Sequence, residues 1–248
     1  MRDQAEKLRQ LMKTKIAKEV PNPENKTRIL TITSGKGGVG KTSLTVNLAI
    51  VLQDMGYRVL IVDADLGLGN VDIMLDISPE YNLSHIIFNQ IDIYDVIIKG
   101  PSDIMILPGG SGLLELANLQ PPEIDRLIRE LIKLSNITDI ILIDTGAGLS
   151  TQNIKMILAA GEAILVTTPD PTSLMDAYGM VKVVSSIDNK VKFNLMMNMV
   201  DDIDDAYIAM KNFQKAGKQF LNVEILKLGL IENSPTISKS IRAQSPFI

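Results

Sequence analysis

The sequence predicts an α/β protein with a doubly wound, mostly parallel sheet and helices on both faces. Three observations predict this fold. Short β-branched, apolar segments alternate with longer helical patterns from residue 28 onward. The strands are apolar at nearly every position, as in sheets that helices cover on both sides. A glycine-rich segment lies between the first strand and the first helix, and aspartates follow two later strands.

The predicted strands share runs of Val, Ile, Leu and Thr, and helical periodicity separates most of them. Because 248 residues suit one large domain, we assign residues 28–248 to a single unit. The strands are predicted at Arg28–Thr33, Arg58–Val62, Asp103–Leu107, Asp139–Ile143, Glu162–Thr167, Val191–Met197 and Glu224–Leu228. The clearest helices are predicted at Lys41–Met55, Pro122–Leu134, Thr172–Val184 and Asp205–Phe220.

Residues 1–20 form a predicted amphipathic helix ahead of that domain. Apolar side chains recur at three-to-five-residue steps from Ala5 to Ile16, which places them on one helical face. Residues 1–18 contain six basic and two acidic residues and carry a net charge of +4. Residues 19–248 therefore carry a net charge of −8. Pro21 and Pro23 break the helix and define a linker over residues 21–27.

Composition excludes several classes of protein. The chain has no cysteine, which rules out disulfides and thiolate-held metals or iron–sulfur clusters. It has no apolar run near the ~20 residues that span a bilayer, and its charged start is unlike a secretory signal. We therefore predict a cytoplasmic protein. A net charge of −4 argues against general nucleic-acid binding, so DNA is an unlikely partner.

The strongest motif is the octet Gly35–Thr42, which follows a predicted strand and opens a predicted helix. This context is that of a P-loop, whose backbone N–H groups and helix N-terminus bind phosphate oxygens. Lys41 is placed to reach the β- and γ-phosphates, and the Thr42 hydroxyl to ligate Mg²⁺. The residues predicted to bind ATP or ADP are Gly35, Lys36, Gly37, Gly38, Val39, Gly40, Lys41, Thr42 and Ser43.

The additional lysine, Lys36, makes this octet resemble the deviant Walker A motif of the MinD/ParA ATPases. The resemblance runs from about Arg28 to the C-terminus. In that family the matching lysine crosses an ATP-sandwiched dimer to the partner's nucleotide. The resemblance therefore implies a homodimer that forms with ATP, with Lys36 and Lys41 as catalytic residues.

Aspartates after two apolar strands complete the implied site. By resemblance, Asp65 positions the attacking water, Asp63 lies near the Mg²⁺ shell and Asp144 is the Walker B carboxylate. Gly146 allows the γ-phosphate to approach closely. We also predict that Asn198 binds the adenine edge, beside a wall formed by Gly229–Ser234. The resemblance further implies that Asp170 faces the partner's nucleotide. We read His85 as a helix-surface residue, and Met196, Met197 and Met199 as core packing.

The N-terminal segment narrows the resemblance to the flagellar-number regulators of the family, the FlhG group. Asp3–Arg9 resembles the DQAxxLR segment of those proteins, whose helix stimulates the GTPase FlhF. The resemblance implies that Gln4 enters the GTP site of FlhF while Leu8 and Arg9 dock the helix. The predicted partner-binding residues are Asp3, Gln4, Ala5, Leu8 and Arg9.

Two other functions remain open, a MinD-like ATPase of division-site selection and a ParA-like positioner of DNA or cargo. Flagellar basal-body components are further expected partners. Relatives carry a C-terminal amphipathic helix that binds the inner face of the cell membrane. Residues 235–248 are too short and unpatterned to replace it. We therefore expect peripheral membrane association only through such a helix beyond Ile248.

Overall fold

A computed structural model of the chain describes residues 27–66, 69–110 and 119–247. The predicted helix at residues 1–20 and nearly all of the linker at 21–27 lie outside the described residues. Both therefore stay predictions. Within the described ranges, no helix is long and apolar enough to cross a membrane.

Eight strands form one sheet, in the order β3-β4-β2-β5-β1-β6-β7-β8. Every neighbouring pair is parallel except β3 and β4, which are antiparallel. The strands are β1 Arg28–Ser34, β2 Val59–Ala64, β3 Ile98–Lys99, β4 Met105–Leu107, β5 Ile140–Ala147, β6 Glu162–Thr167, β7 Lys192–Val200 and β8 Ile225–Glu232.

Nine α-helices connect or flank these strands within the described residues. They are α1 Lys41–Asp54, α2 Val71–Met74, α3 Leu83–Ile87, α4 Ile93–Val96, α5 Pro121–Lys133, α6 Thr151–Ala160, α7 Pro171–Ile187, α8 Ile203–Ala216 and α9 Pro235–Arg242. Two 3₁₀ turns at Pro101–Asp103 and Leu134–Asn136 and a π turn at Gly217–Leu221 complete the regular structure.

Alternate residues of the central strands enter cores on opposite faces of the sheet. Ile32 and Ile61 pack with α1 on one face. Leu60 and Ile141 face the opposite side, where they pack with α5. Helices α7 and α8 cover β6 and β7 in a further apolar cluster. The prediction of a mostly parallel sheet with helices on both faces is confirmed.

The predicted boundaries agree with the structure more closely for some strands than for others. Glu162–Thr167 matches its prediction residue for residue, whereas β5 extends four residues and β7 three residues past their predicted ends. Helix α6, the short helices and the antiparallel strand β3 were not predicted. A Ser150 side chain that accepts the Asn153 N–H marks the start of α6, but this helix is too short to show a strong period.

Two sequence interpretations need correction. Strand β8 is an edge strand whose Leu226 and Leu228 side chains are about half exposed, so the sheet is not covered on both faces there. His85 is half-buried rather than a free surface residue. Its Nδ1 accepts the Asn82 N–H at 3.2 Å, and the Asn82 side chain caps the N-terminus of α3. The imidazole therefore fixes the start of a helix.

Candidate functional site

The glycine-rich segment forms a turn between β1 and α1, as the sequence predicts. Gly40 caps α1 with φ 89°, a left-handed conformation that glycine adopts without strain. A Cβ on Gly40 would stand 2.3 Å from Asn198 Nδ2. That same amide donates to the Val39 carbonyl at 2.8 Å. Strand β7 therefore holds the turn in place, and only glycine fits against it.

Lys41 is nearly buried beneath this turn, with 8% of its surface exposed. Its Nζ donates to Ser34 Oγ at 2.9 Å, and that hydroxyl donates to the Lys36 carbonyl at 2.7 Å. Burial lowers the pKa of Lys41, while the nearby carboxyls of Asp144 and Asp65 oppose the shift. A desolvated ammonium in this position is suited to bind phosphate.

Asp144 lies on β5 directly below the P-loop helix, and its carboxyl is fully buried. Thr45 Oγ1 donates to its Oδ1 at 3.2 Å. Burial raises the pKa of Asp144 to about 6, although Thr42, Lys41 and Thr45 favour its charged form. Its Oδ2 is buried and accepts no standard hydrogen bond from the described residues. A buried carboxylate oxygen without a partner beside a threonine hydroxyl fits a hydrated Mg²⁺.

Asp63 lies opposite Asp144 on β2, yet both of its oxygens contact backbone. Oδ1 accepts the Asp65 N–H at 3.2 Å, and Oδ2 accepts the N–H groups of Asn70 at 2.9 Å and Val71 at 3.1 Å. Burial and the Asp144 charge raise the pKa of Asp63 to about 7 against these three bonds. Its metal role stays a prediction, and the geometry gives it the task of anchoring the segment that carries Asp65.

Asp65 lies at the wall of the cavity described below, next to Gly146. A Cβ at position 146 would stand 3.1 Å from Asp65 Oδ1, so glycine permits this approach. Because Asp65 also acts electrostatically on Lys41, its carboxyl is near the phosphate cradle. This is where a residue that orients water toward the γ-phosphate is needed.

Lys36 points away from its own phosphate cradle. Its Nζ lies 3.1 Å from Asp170 Oδ2 and 2.9 Å from Thr172 Oγ1, at the N-terminus of α7. Asp170 also accepts the Thr172 N–H, and this bond together with Lys36 lowers the pKa of Asp170. The sequence singled out Lys36 and Asp170 separately, and only the fold brings them together.

These elements surround a cavity of about 1030 Å³ at the carboxyl edge of the sheet. Parallel sheets bind ligands at this edge, and the volume exceeds what a nucleotide needs. The walls include both predicted and unpredicted residues. They comprise Gly37, Gly38, Gly40, Lys41, Thr42, Ser43, Ala64, Asp65, Leu66, Asn70, Ile73, Met74, Gly146, Ala147, Ser150, Gln152, Asn153, Met199, Ile241 and Gln244.

Several cavity residues were missed or misread from the sequence. Met199 was predicted to pack in the core, but it is 41% exposed and lines the cavity at φ 57°. Such strain in a non-glycine residue often marks a functional site. Ile241 and Gln244, at the C-terminal end of the chain, carry no sequence signal for this location. The predicted adenine wall, Gly229–Ser234, is not among the lining residues, and its role stays a prediction.

Comparisons with known proteins identify relatives along most of the chain. A family model described as AAA domain matches residues 27–197. The antiactivator FleN of Pseudomonas aeruginosa is 33% identical over 217 residues, which are 88% of this chain and 78% of that protein. The flagellum site-determining protein YlxH of Helicobacter pylori is 33% identical over 244 residues, covering 98% and 82% of the two chains.

A solved structure supports the same assignment. The septum site-determining protein MinD of Pyrococcus horikoshii, determined with Mg-ADP, superimposes with a TM-score of 0.75 at 27% identity. The match covers 89% of this chain and 87% of that one. On these similarities of sequence and fold, this chain belongs to the MinD/ParA family of P-loop ATPases and resembles the flagellar proteins FleN and YlxH (FlhG) within it.

Proposed function

We propose that this protein is an ATP-dependent switch ATPase that regulates the number and placement of flagella. The observation that carries the proposal is that Lys41 and Asp65 line one cavity at the P-loop, with the buried carboxyl of Asp144 close enough to act on Lys41. The chain that holds this site is similar to FleN and YlxH over most of its length. The family supports ATP hydrolysis, and the flagellar role follows from the two relatives.

In this proposal the chain binds ATP and lowers the barrier to its hydrolysis mainly by placing charge. The P-loop amides and Lys41 bind the phosphates, and Asp65 orients a water molecule for in-line attack. Bound Mg²⁺ supplies charge neutralisation at the β- and γ-phosphates. Thr42 and Asp144 would hold it, with Asp63 near the ion's outer shell. The Asn198 amide, now bonded to Val39, is retained as the proposed adenine contact.

The switch is a homodimer that forms when ATP is bound. Lys36 of each subunit contacts the nucleotide of the other subunit in the proposed dimer. In the monomer, Asp170 and Thr172 at the N-terminus of α7 hold Lys36. Because the ion pair is nearly half exposed on both sides, its loss on dimerisation costs little. Turnover is slow, since a switch depends on the lifetime of its ATP state.

The test of the switch uses Asp65→Ala, which keeps the phosphate-binding residues and removes the water-positioning carboxyl. Size-exclusion chromatography with light scattering should show a stable dimer with ATP and Mg²⁺, and a monomer with ADP. Lys41→Ala is the control and should stay monomeric with either nucleotide. An Asp65→Ala protein that binds ATP and remains monomeric would contradict the proposed ATP-dependent dimer.

The proposed partner is an FlhF-type GTPase, which the N-terminal helix stimulates. We expect the full chain to raise the GTPase rate of purified FlhF, and Gln4→Ala to abolish the increase. Gln10→Ala is the matched control, because it removes the same side chain from the same segment outside Asp3–Arg9. Equal loss in both variants would refute the assigned role of Gln4.

The alternatives predict different partners. Similarity to the MinD structure keeps division-site selection as the second candidate, for which the partner is a septum inhibitor. ATP-dependent retention on DNA at moderate salt would instead support a ParA-like positioner. In the flagellar reading, the ATP dimer presents a surface to basal-body components. The protein is then cytoplasmic, and it binds the membrane peripherally only if an amphipathic helix follows Ile248.

A further inference from the structure

The C-terminal segment at residues 241–247 lies against the nucleotide cavity, although the sequence gives it no role there. Ile241 and Gln244 line the cavity together with P-loop residues. Helix α9, which leads into the segment, has no fully buried residue. Its position therefore depends on individual polar contacts rather than on burial in the core.

Two of those contacts attach the segment to two different helices, α2 and α1. Gln244 Nε2 donates to the carbonyl of Ile73 in α2 at 2.6 Å. The Phe247 N–H donates to Asn47 Oδ1 in α1 at 2.9 Å, and the other end of the Asn47 amide donates to the Ser43 carbonyl at 2.8 Å. The segment thus connects the helix of the P-loop with the helix behind Asp65.

The contact between Gln244 and α2 is linked to Asp65 through one further residue, Asp63. The backbone N–H groups of Asn70 and Val71, at the start of α2, donate to the Asp63 carboxyl. That carboxyl also accepts the N–H of Asp65. Hydrogen bonds therefore connect α2, which Gln244 contacts at Ile73, to the segment that carries Asp65, the proposed water-positioning residue.

Gln244 adopts φ 50°, a left-handed conformation that an L-residue with a side chain takes only at a cost. Glycine would remove that cost. Gln244 lies just past the end of α9, where glycine commonly takes the left-handed conformation, and the glutamine side chain adds the bond to Ile73.

From these contacts we infer that residues 241–247 form a strap across the nucleotide cavity, and that the Gln244–Ile73 hydrogen bond controls how fast nucleotide leaves. Gln244 is a positioning residue in this inference, because it acts through α2 and the strap rather than on the phosphates. The inference rests on the proposed ATP function and adds a control of nucleotide exchange to it.

The experiment measures the release of N-methylanthraniloyl-ADP from the full chain with Mg²⁺, after mixing with excess unlabelled ADP. Gln244→Gly should release the probe about three- to tenfold faster than the wild type, the factor that corresponds to one net hydrogen bond. Its thermal unfolding temperature should not fall, since the substitution relieves the left-handed backbone. Faster release without lost stability distinguishes a strap from a merely structural contact.

Gln90→Gly is the matched control. Gln90 is also an exposed glutamine at positive φ, 58°, and it does not line the cavity. This variant should release the probe at the wild-type rate. Gln244→Ala, which keeps a Cβ and loses the amide, should match the acceleration of Gln244→Gly. Acceleration in the glycine variant alone would trace the effect to backbone freedom and overturn the role of the amide.

Equal release rates in the wild type and both Gln244 variants would overturn the strap while leaving ATP binding intact. If the wild type bound no labelled ADP, the ATP function and the strap would fall together. Amide hydrogen exchange adds a local readout. With ADP bound, residues 69–75 should exchange faster in Gln244→Gly than in Gln90→Gly, and equal exchange would contradict the transmission through Ile73.

Discussion

Two aspartates that lie side by side on β2 and β5 show how one residue type serves two purposes in this site. The Cα atoms of Asp63 and Asp144 are direct partners in the parallel ladder. Both side chains are about 1% exposed, and burial raises the pKa of both. Asp63 accepts three backbone N–H groups. Asp144 accepts the Thr45 hydroxyl on Oδ1 and lies near the Thr42 hydroxyl, but its Oδ2 accepts no standard hydrogen bond from the described part of the chain.

The difference teaches that burial alone does not identify a ligand-binding carboxylate. A buried oxygen bonded to backbone amides holds the protein chain together, since those amides would be costly to leave unpaired. A buried oxygen that has no protein partner is available to a ligand. The sequence pattern makes the two residues look alike, and their partners tell them apart.

The largest expected effect comes from matched Asp-to-Asn substitutions. In Asp63→Asn the new NH₂ group faces a backbone N–H in either orientation, so we expect a loss of about 2–3 kcal/mol in unfolding free energy. In Asp144→Asn the NH₂ group can take the place of the open oxygen, and stability without nucleotide should be unchanged or higher. Urea unfolding of the nucleotide-free proteins measures both.

The same two variants should differ in the opposite direction in nucleotide binding, with the larger loss in Asp144→Asn. Asp144→Asn should lose at least about tenfold in the Mg²⁺-dependent part of its ADP affinity, measured by calorimetry with and without the metal. Asp63→Asn should keep more of that dependence at temperatures where it is folded. A protein in which position 63 governs the metal and position 144 governs stability would reverse the comparison.

A smaller effect concerns pH. The folded-state pKa values, about 7 for Asp63 and about 6 for Asp144, lie above the ordinary value of 3.8. The folded protein therefore binds more protons than the unfolded chain between about pH 4 and 7, and its stability falls as pH rises through this window. The nucleotide-free protein should unfold several degrees lower at pH 7.5 than at pH 5.

Asp144→Asn should flatten the lower part of that pH dependence, because it removes the group that titrates near pH 6. Thermal unfolding at constant ionic strength, from pH 4.5 to 8, makes the comparison. A wild-type stability that rises over this range would show that neither carboxyl titrates as its burial implies.

The smallest expected change in stability comes from substituting an exposed aspartate, Asp170. Asp170→Ala removes the partner of Lys36 and a cap of α7, both at the surface. We expect the unfolding temperature to fall by a few degrees at most, since the lost cap costs about 1 kcal/mol and the exposed ion pair contributes little. Asp170 faces the partner's nucleotide in the proposed dimer, so sedimentation with ATP should show altered dimer formation. A large loss of monomer stability would contradict a surface role.

The sequence by itself determined the fold and the place of the glycine-rich turn within it. Apolar strands must be buried on both faces, and a strand followed by Gly35–Thr42 and a helix has few other uses. Both patterns are local, because the residues that determine the structure lie close together in the sequence. For the same reason Glu162–Thr167 was placed to the residue, while the short helices and the two-residue strand β3 had no period long enough to detect.

The tertiary structure decided which polar groups meet. Asn198 holds the P-loop from β7, Lys36 bonds with α7, and Gln244 reaches Ile73 from the other end of the chain. Such pairs join residues more than a hundred positions apart, and their side chains leave no periodic trace in the sequence. The separate tasks of Asp63 and Asp144 belong to the same class, because only the folded chain determines which oxygen remains open.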